Sequence, residues 1–305
     1  MARPPRPAQL AMREGVSPST VAVPAGPWPQ VLDFLAERLP AVSREGWHSR
    51  LAQGLVLDDE GQAVRADAPC RPGMRLHYYR WLEDEAALPP PFDQAQIVFE
   101  DEALLVADKP HFMPVTPTGR FVQQSLLVQL KRRTGCETLS PVHRIDRETA
   151  GLVVLCKRPG DRDAYQGLFR ERTVHKRYLA VAPDPGTPLP PRHESRLEED
   201  ALFFRMREVP GPANSLTHLQ LLQSHAGRGL YQLAPDTGKR HQLRVHMMGL
   251  GRPIEGDQFY PVVRHGPGAP PALDQPLQLL AWQVGFKDPV TGAERAFESA
   301  LRLNW

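Results

Sequence analysis

The stretch His143-Arg144-Ile145-Asp146-Arg147-Glu148-Thr149-Ala150-Gly151-Leu152 runs without a break into Val153-Val154-Leu155-Cys156. The apolar run is short, β-branched and bounded by Gly151 and Lys157. That predicts a buried strand rather than a helix. The charged segment is then a loop held at the mouth of a rigid sheet, where functional groups are commonly displayed. Asp146, between Arg144 and Arg147, is the candidate for the chemistry; a structural ion pair with Arg147 is the plain alternative.

The rest of the chain excludes several classes. Apolar residues make up 41% and charged ones 24%, as in an ordinary soluble globular protein. No segment approaches the roughly 18 apolar residues of a membrane span, and the Pro- and Arg-rich start lacks the apolar core of a secretion signal. Three widely spaced cysteines, Cys70, Cys136 and Cys156, fit a reducing cytoplasm and show no zinc-like spacing. His241 and His246 are five apart with no Glu between them, so no metalloprotease helix is present. No nucleotide-binding loop is visible either. The expectation is a cytoplasmic monomer with no metal, no cofactor and no membrane partner.

Charge is unevenly spread. Residues 1–94 hold 10 Lys and Arg against 12 Asp and Glu, so the remainder carries the excess of cations in a chain of net +2. It concentrates in residues 170–177 and 239–246, the second run free of acids. Basic runs of this kind suit a polyanion, since phosphate neutralisation dominates nucleic-acid affinity; a solvated helix face is the plain alternative.

Residues 1–27, with Pro4, Pro5, Pro7, Pro18, Pro24 and Pro27, predict a flexible arm. Residues 28–81 predict two helices, the second capped by Ser43, and then short strands. This part resembles the small RNA-binding module of ribosomal proteins and RNA-modifying enzymes, although its second helix offers few cations, only Arg44, His48 and Arg50. Residues 82–96 are acidic and Pro-rich and predict a linker. Residues 97–305 predict many strands and few helices without βαβ alternation, an α+β fold around a largely antiparallel sheet flanked by helices. Among these elements are a helix from about 162 to 172, strands at 174–181, 202–207, 216–222 and 229–233, and a helix from about Lys239 to Met248 capped by the 235–238 turn.

Three blocks carry a family resemblance: residues 141–152; Val174-His175-Lys176-Arg177-Tyr178-Leu179-Ala180; and residues 233–246, which include Pro235-Asp236-Thr237-Gly238-Lys239-Arg240-His241-Gln242-Leu243-Arg244. Asp108-Lys109-Pro110 and Pro253-Ile254-Glu255-Gly256-Asp257 extend it. Together they resemble the RluA-type pseudouridine synthases, from about residue 95 to the end. Ala150 departs from the usual Ser, Ile145 from Leu and Lys239 from Arg.

The resemblance implies a pseudouridine synthase fold and the isomerisation of one uridine in structured ribosomal or transfer RNA, without cofactor. It makes Asp146 the catalytic carboxylate, Arg244 its charge partner and Tyr178 the ring stacked on the uracil. Arg144 takes the place of the flipped nucleotide. Around the substrate it places His143, Arg147, Thr149 and Lys176, and the 237–242 turn with Thr237, Gly238, Lys239, Arg240, His241 and Gln242. The first turn of that helix is expected to receive phosphate. Two other readings stay open: a non-catalytic RNA-binding protein on the same scaffold, and a carboxylate hydrolase pairing Asp146 with Asp257.

Overall fold

The buried run after Asp146 is the strand Ala150–Cys156, with all seven residues out of solvent. It lies inside a sheet of eleven strands. The computed structural model describes residues 10–80, 85, 87–119, 121–266, 269–270 and 272–305. They divide into two compact units, one of residues up to 85 with 119–123 and 131–137, the other of the remainder.

The smaller unit contains β1 (Ser19–Ala22), α1 (Val31–Arg38), α2 (Arg44–Ala52), β2 (Val56–Leu57) and β3 (Arg75–Tyr78). Its antiparallel sheet has the order β1-β3-β2. Val31, Phe34, Leu35, Trp47, Val56 and Leu76 form the core. Ser43 caps α2, its hydroxyl accepting from Gly46 N at 3.1 Å. Part of the stretch 1–27, expected to be a flexible arm, is folded. Residues 1–9 lie outside the described residues, but Ser19 pairs with Tyr78, and Leu10, Val16 and Val23 are buried. Backbone pairing with β3 overrides the weak local pattern. Of the expected linker, residues 82–84 and 86 lie outside the described residues.

The larger unit holds the site. Its strands are β4 (Gln96–Glu100), β5 (Leu104–Lys109), β6 (Ser140–Pro141), β7 (Ala150–Cys156), β8 (His175–Pro183), β9 (Arg192–Glu199), β10 (Met206–Val209), β11 (Ser215–His225), β12 (Arg228–Pro235), β13 (Leu279–Lys287) and β14 (Glu294–Glu298). The order is β10-β9-β11-β12-β8-β13-β7-β5-β4, with β14 on β13 and β6 on β7. Every pairing is antiparallel except β13 with β7. The helices are α3 (Leu126–Thr134), which runs across the division between the units, α4 (Arg162–Arg170) and α5 (Gln242–Gly249).

One row of this sheet positions the site. Gly151 on β7 faces Ala281 on β13, Ala281 faces Tyr178 on β8, and Tyr178 faces Leu233 on β12. At about 4.8 Å per strand, Tyr178 stands roughly 10 Å from the start of β7. Gly151 is required there. Its φ is +111°, and a Cβ would come within 2.3 Å of Ala281 O.

Two strands differ from expectation. β9 has no strand pattern in the sequence, because six of its eight residues are charged or His and only Leu197 is buried. The strand expected at 202–207 is a turn as far as Arg205, and β10 starts at Met206.

Candidate active site

The loop before β7, the strand β8 and the turn before α5 enclose a cavity of about 400 Å³. That is within the usual size range of small-molecule sites. Asp146 opens into it with its side chain 24% exposed. Tyr178, Arg144, Lys176, Thr237, Lys239, His241 and Arg244 also line it.

Arg244 organises the charge. It projects from α5 and is 1% exposed. Its Nε and Nη2 donate to Asp257 Oδ2 and Oδ1 at 2.7 and 2.6 Å, a bidentate pair. Its Nη1 reaches Asp146 Oδ2 at 3.4 Å and Glu148 Oε2 at 3.7 Å. The faces of Phe259 and Tyr260 lie 5.0 and 5.4 Å from the guanidinium. Asp257 is fixed in turn by the backbone N–H groups of Phe259 and Tyr260, which donate to Oδ1 at 2.8 and 3.1 Å. The first partner of Arg244 is therefore Asp257, and Asp146 takes what is left of the guanidinium. This overturns Asp257 as a second reacting acid: its oxygens are occupied, and it is 3% exposed.

Desolvation pushes the Asp146 carboxyl up, but His241, Arg244 and Arg144 outweigh it and hold the group below its usual range. His241 is 3.9 Å away through Nε2. Burial lowers its own pKa against the pull of Asp146. Asp146 is an anion at neutral pH. Across the cavity, burial and the charge of Asp146 raise the Tyr178 hydroxyl. It stays protonated.

The turn before α5 departs from expectation. The helix starts at Gln242, not Lys239, because His241 adopts φ +53° and ψ +18°. That left-handed conformation is costly for a residue with a Cβ. It is held by Tyr260 OH, 2.9 Å from His241 Nδ1, and by the Phe259 ring, stacked at 5.9 Å. The Gln242 side chain closes the turn, accepting from Thr237 Oγ1 at 2.7 Å and Lys239 N at 3.1 Å. Lys239 and Arg240 thus precede the helix rather than forming its first turn.

The expected substrate residues separate. Thr149, Lys176, Thr237, Gly238, Lys239, His241 and Gln242 line the cavity, and exposed Arg144 stands at its rim. Lys176 Nζ also donates to Thr237 O at 3.3 Å. His143 lines it too, but its Nε2 accepts from Val154 N at 3.0 Å and its ring stacks on Phe169 at 4.4 Å. Burial pushes its pKa down to about 3, which leaves a neutral, structural ring. Arg147 and Arg240 are not brought to the cavity. Arg147 pairs with Glu148 at 2.9 Å and lines a separate crevice with Phe112 and Phe259. Arg240 donates to Phe203 O and Arg205 O at 2.9 and 3.0 Å, bracing the β9–β10 turn. Ala150 is buried in β7 and absent from the cavity lining.

Lys109 is a further support that the charge pattern does not reveal. It is fully buried at the end of β5, donating to Pro110 O at 2.9 Å and to Arg147 O at 3.2 Å. Burial lowers its pKa to about 7, opposed by Glu148 and Asp146. A neutral amine has the two N–H bonds these carbonyls take. A lysine with a lower pKa in the folded chain binds fewer protons there than in the unfolded chain. Stability therefore rises with pH from about 7 toward the ordinary value of 10.5. Lys109→Met is expected to flatten that rise in urea titrations; an unchanged slope would contradict it.

The one cluster of metal-ligating groups among the described residues, His193, Glu208 and His246, lies outside the cavity lining. Among the described residues no helix is long and apolar enough to cross a membrane.

With this geometry in view, the relatives decide the family. A family profile described as RNA pseudouridylate synthase matches residues 103–248. A Synechocystis protein named as an uncharacterized RNA pseudouridine synthase is 31% identical over 280 residues, covering 84% of this chain and 88% of its own. This chain belongs to the RluA family of RNA pseudouridine synthases. It is an isomerase. Ribosomal large subunit pseudouridine synthase D of Neisseria meningitidis serogroup A is 29% identical over 286 residues, 88% of this chain and 74% of that one. Among solved structures, human RNA pseudouridylate synthase domain containing 4 shares 28% identity at a TM-score of 0.52, over 68% of this chain and 88% of that one.

Proposed function

We propose that the cavity receives a uridine turned out of a structured RNA and that Asp146 is the carboxylate that isomerises it. The observation that carries this is an ionised carboxylate in a cavity of nucleoside size, backed by a buried guanidinium and faced by a protonated tyrosine. In the reaction the N1–C1′ bond of the nucleoside breaks, the uracil turns over, and a C5–C1′ bond forms. The proton leaves C5 and N1 gains one, so the net change is zero and no external reductant or oxidant is needed. Asp146 meets the ionisation requirement of a nucleophile at C1′ and of a base alike.

Arg144, at the rim, is long and planar enough to fill the gap a flipped nucleotide leaves. Lys176 and Lys239 bring positive charge toward the phosphates beside it. Following the name of the Neisseria relative, ribosomal RNA is the first expected target, with transfer RNA as the other outcome. The small N-terminal unit is given no RNA role in this reading, because its Arg44 and Arg65 are already paired with Asp33 and Asp67.

Recombinant enzyme incubated with total RNA from a strain lacking it should raise the pseudouridine content at a defined position. No new pseudouridine in any RNA would favour the non-catalytic RNA-binding alternative. In the same assay Tyr178→Phe keeps the ring and is expected to stay within about tenfold of wild type. Tyr178→Ala loses the stacking, worth roughly 1–3 kcal/mol or about 5- to 150-fold. Equal losses in both variants would instead assign the work to the hydroxyl.

A further inference from the structure

Two residues along α5 from Arg244, and so about 200° around the helix, His246 meets two groups that the reaction does not use. His193 on β9, Glu208 on β10 and His246 bring two ring nitrogens and a carboxylate oxygen to within 4.8 Å of one another. His193 Nε2 lies 2.7 Å from Glu208 Oε1, and the two imidazoles meet edge to face at 4.8 Å between centroids. His246 is fully buried, whereas His193 and Glu208 keep 20% and 29% exposure. The cluster is rooted in the core and open to solvent on one side.

The surroundings suit a bound cation. Thr217 Oγ1, 2.9 Å from His246 Nδ1, orients the ring from behind, as outer partners of metal-bound histidines do. On the other nitrogen, Nε2, the hydroxyls of Ser215 and Ser195 stand at 2.9 and 3.1 Å and add oxygen donors. Gly249, the last residue of α5, leaves room for the carboxylate, since a Cβ there would come within 2.8 Å of Glu208 Oε2.

We propose that His193, Glu208 and His246 bind one Zn²⁺, with water or the Ser195 hydroxyl in the fourth position. Two imidazoles and a carboxylate form a zinc donor set, whereas calcium and magnesium take oxygen ligands. Bonds of about 2.0–2.1 Å in a tetrahedron separate ligand atoms by roughly 3.3 Å. His193 and Glu208 then move apart slightly, and His246 closes by side-chain rotation. The ion ties the sheet-edge hairpin of β9 and β10 to the helix that carries Arg244. Its role is structural. The ligands lie 15 and 38 residues apart, so no sequence spacing announces them.

The test uses the full, untagged chain loaded with Zn²⁺, dialysed, and analysed for metal. Wild type is expected to keep about one zinc per chain, to melt higher with Zn²⁺ than without, and to give the visible bands of tetrahedral Co²⁺ when cobalt replaces zinc. Losing an outer partner costs roughly 10–100-fold in metal affinity, so losing a ligand in His193→Ala or Glu208→Gln should weaken zinc by at least about 100-fold. Glu208→Gln keeps the side-chain volume and decides the matter if His193→Ala fails to fold. No zinc retained by folded wild type, or equal retention by Glu208→Gln, would overturn the site. Neither result bears on the chemistry of Asp146.

Discussion

Asp146→Asn is expected to lower the rate of pseudouridine formation by at least about 10³-fold, or ~4 kcal/mol of transition-state stabilisation. The asparagine fills the same space but is neither base nor nucleophile. The contacts of the Asp146 carboxylate with Arg244 and His241 are long, 3.4 and 3.9 Å, so the fold should survive with a modest fall in melting temperature. The pH dependence has a definite sign. Because the folded-state pKa is depressed, ionisation stabilises the native chain above the ordinary carboxylate range. That contribution is lost as pH falls through the folded value. The acid limb of the wild-type rate profile should accordingly lie below the pKa of a free aspartate. A limb near neutrality would mean that burial, not the cations of His241, Arg244 and Arg144, governs the group.

Arg244→Met is expected to damage stability as well as activity. The buried pair with Asp257, at 2.6 and 2.7 Å, would become a buried carboxylate with no counter-charge. Breaking such a pair typically costs 3–5 kcal/mol. Adding Asp257→Asn to Arg244→Met removes the stranded charge and should recover part of the loss, which urea unfolding of the single and double variants reads directly. Activity should not recover, because Asp146 still lacks its cation. Arg244→Lys is not a rescue, since an ammonium cannot reproduce the two parallel bonds to Asp257. A loss below ~1 kcal/mol in Arg244→Met would show that Asp257 does not depend on it.

Much of this was legible in the residues. The run 152–156 is apolar without interruption because both faces of β7 are covered, and Gly151 marks where its backbone meets Ala281. Arg244 and Tyr178 reach the cavity from the elements that their motifs assign. What escaped depends on contacts between distant segments. β9 reads as charged text because it lies next to the edge strand β10 and buries only Leu197. The helix α5 starts later than the 235–238 turn predicts because Gln242 and Tyr260, not a local cap, set the conformation of the turn. Asp257 stands out in the sequence only as a second carboxylate, since nothing local shows that it faces Arg244. Lys109 sits in a strand whose other positions are also buried, and only the fold reveals the two carbonyls it holds. Arg240 and Arg147 look like phosphate ligands by charge alone, yet Arg240 braces the β9–β10 turn and Arg147 pairs with its neighbour Glu148.

The most direct test is made in cells. In a strain lacking the gene, pseudouridine mapping across total RNA should reveal a site that is lost. Wild-type protein should restore that site, and Asp146→Asn, expressed to the same level, should leave it as uridine. Restoration by the Asn variant, or a strain with every pseudouridine intact, would contradict Asp146 as the reacting group of an RNA uridine isomerase.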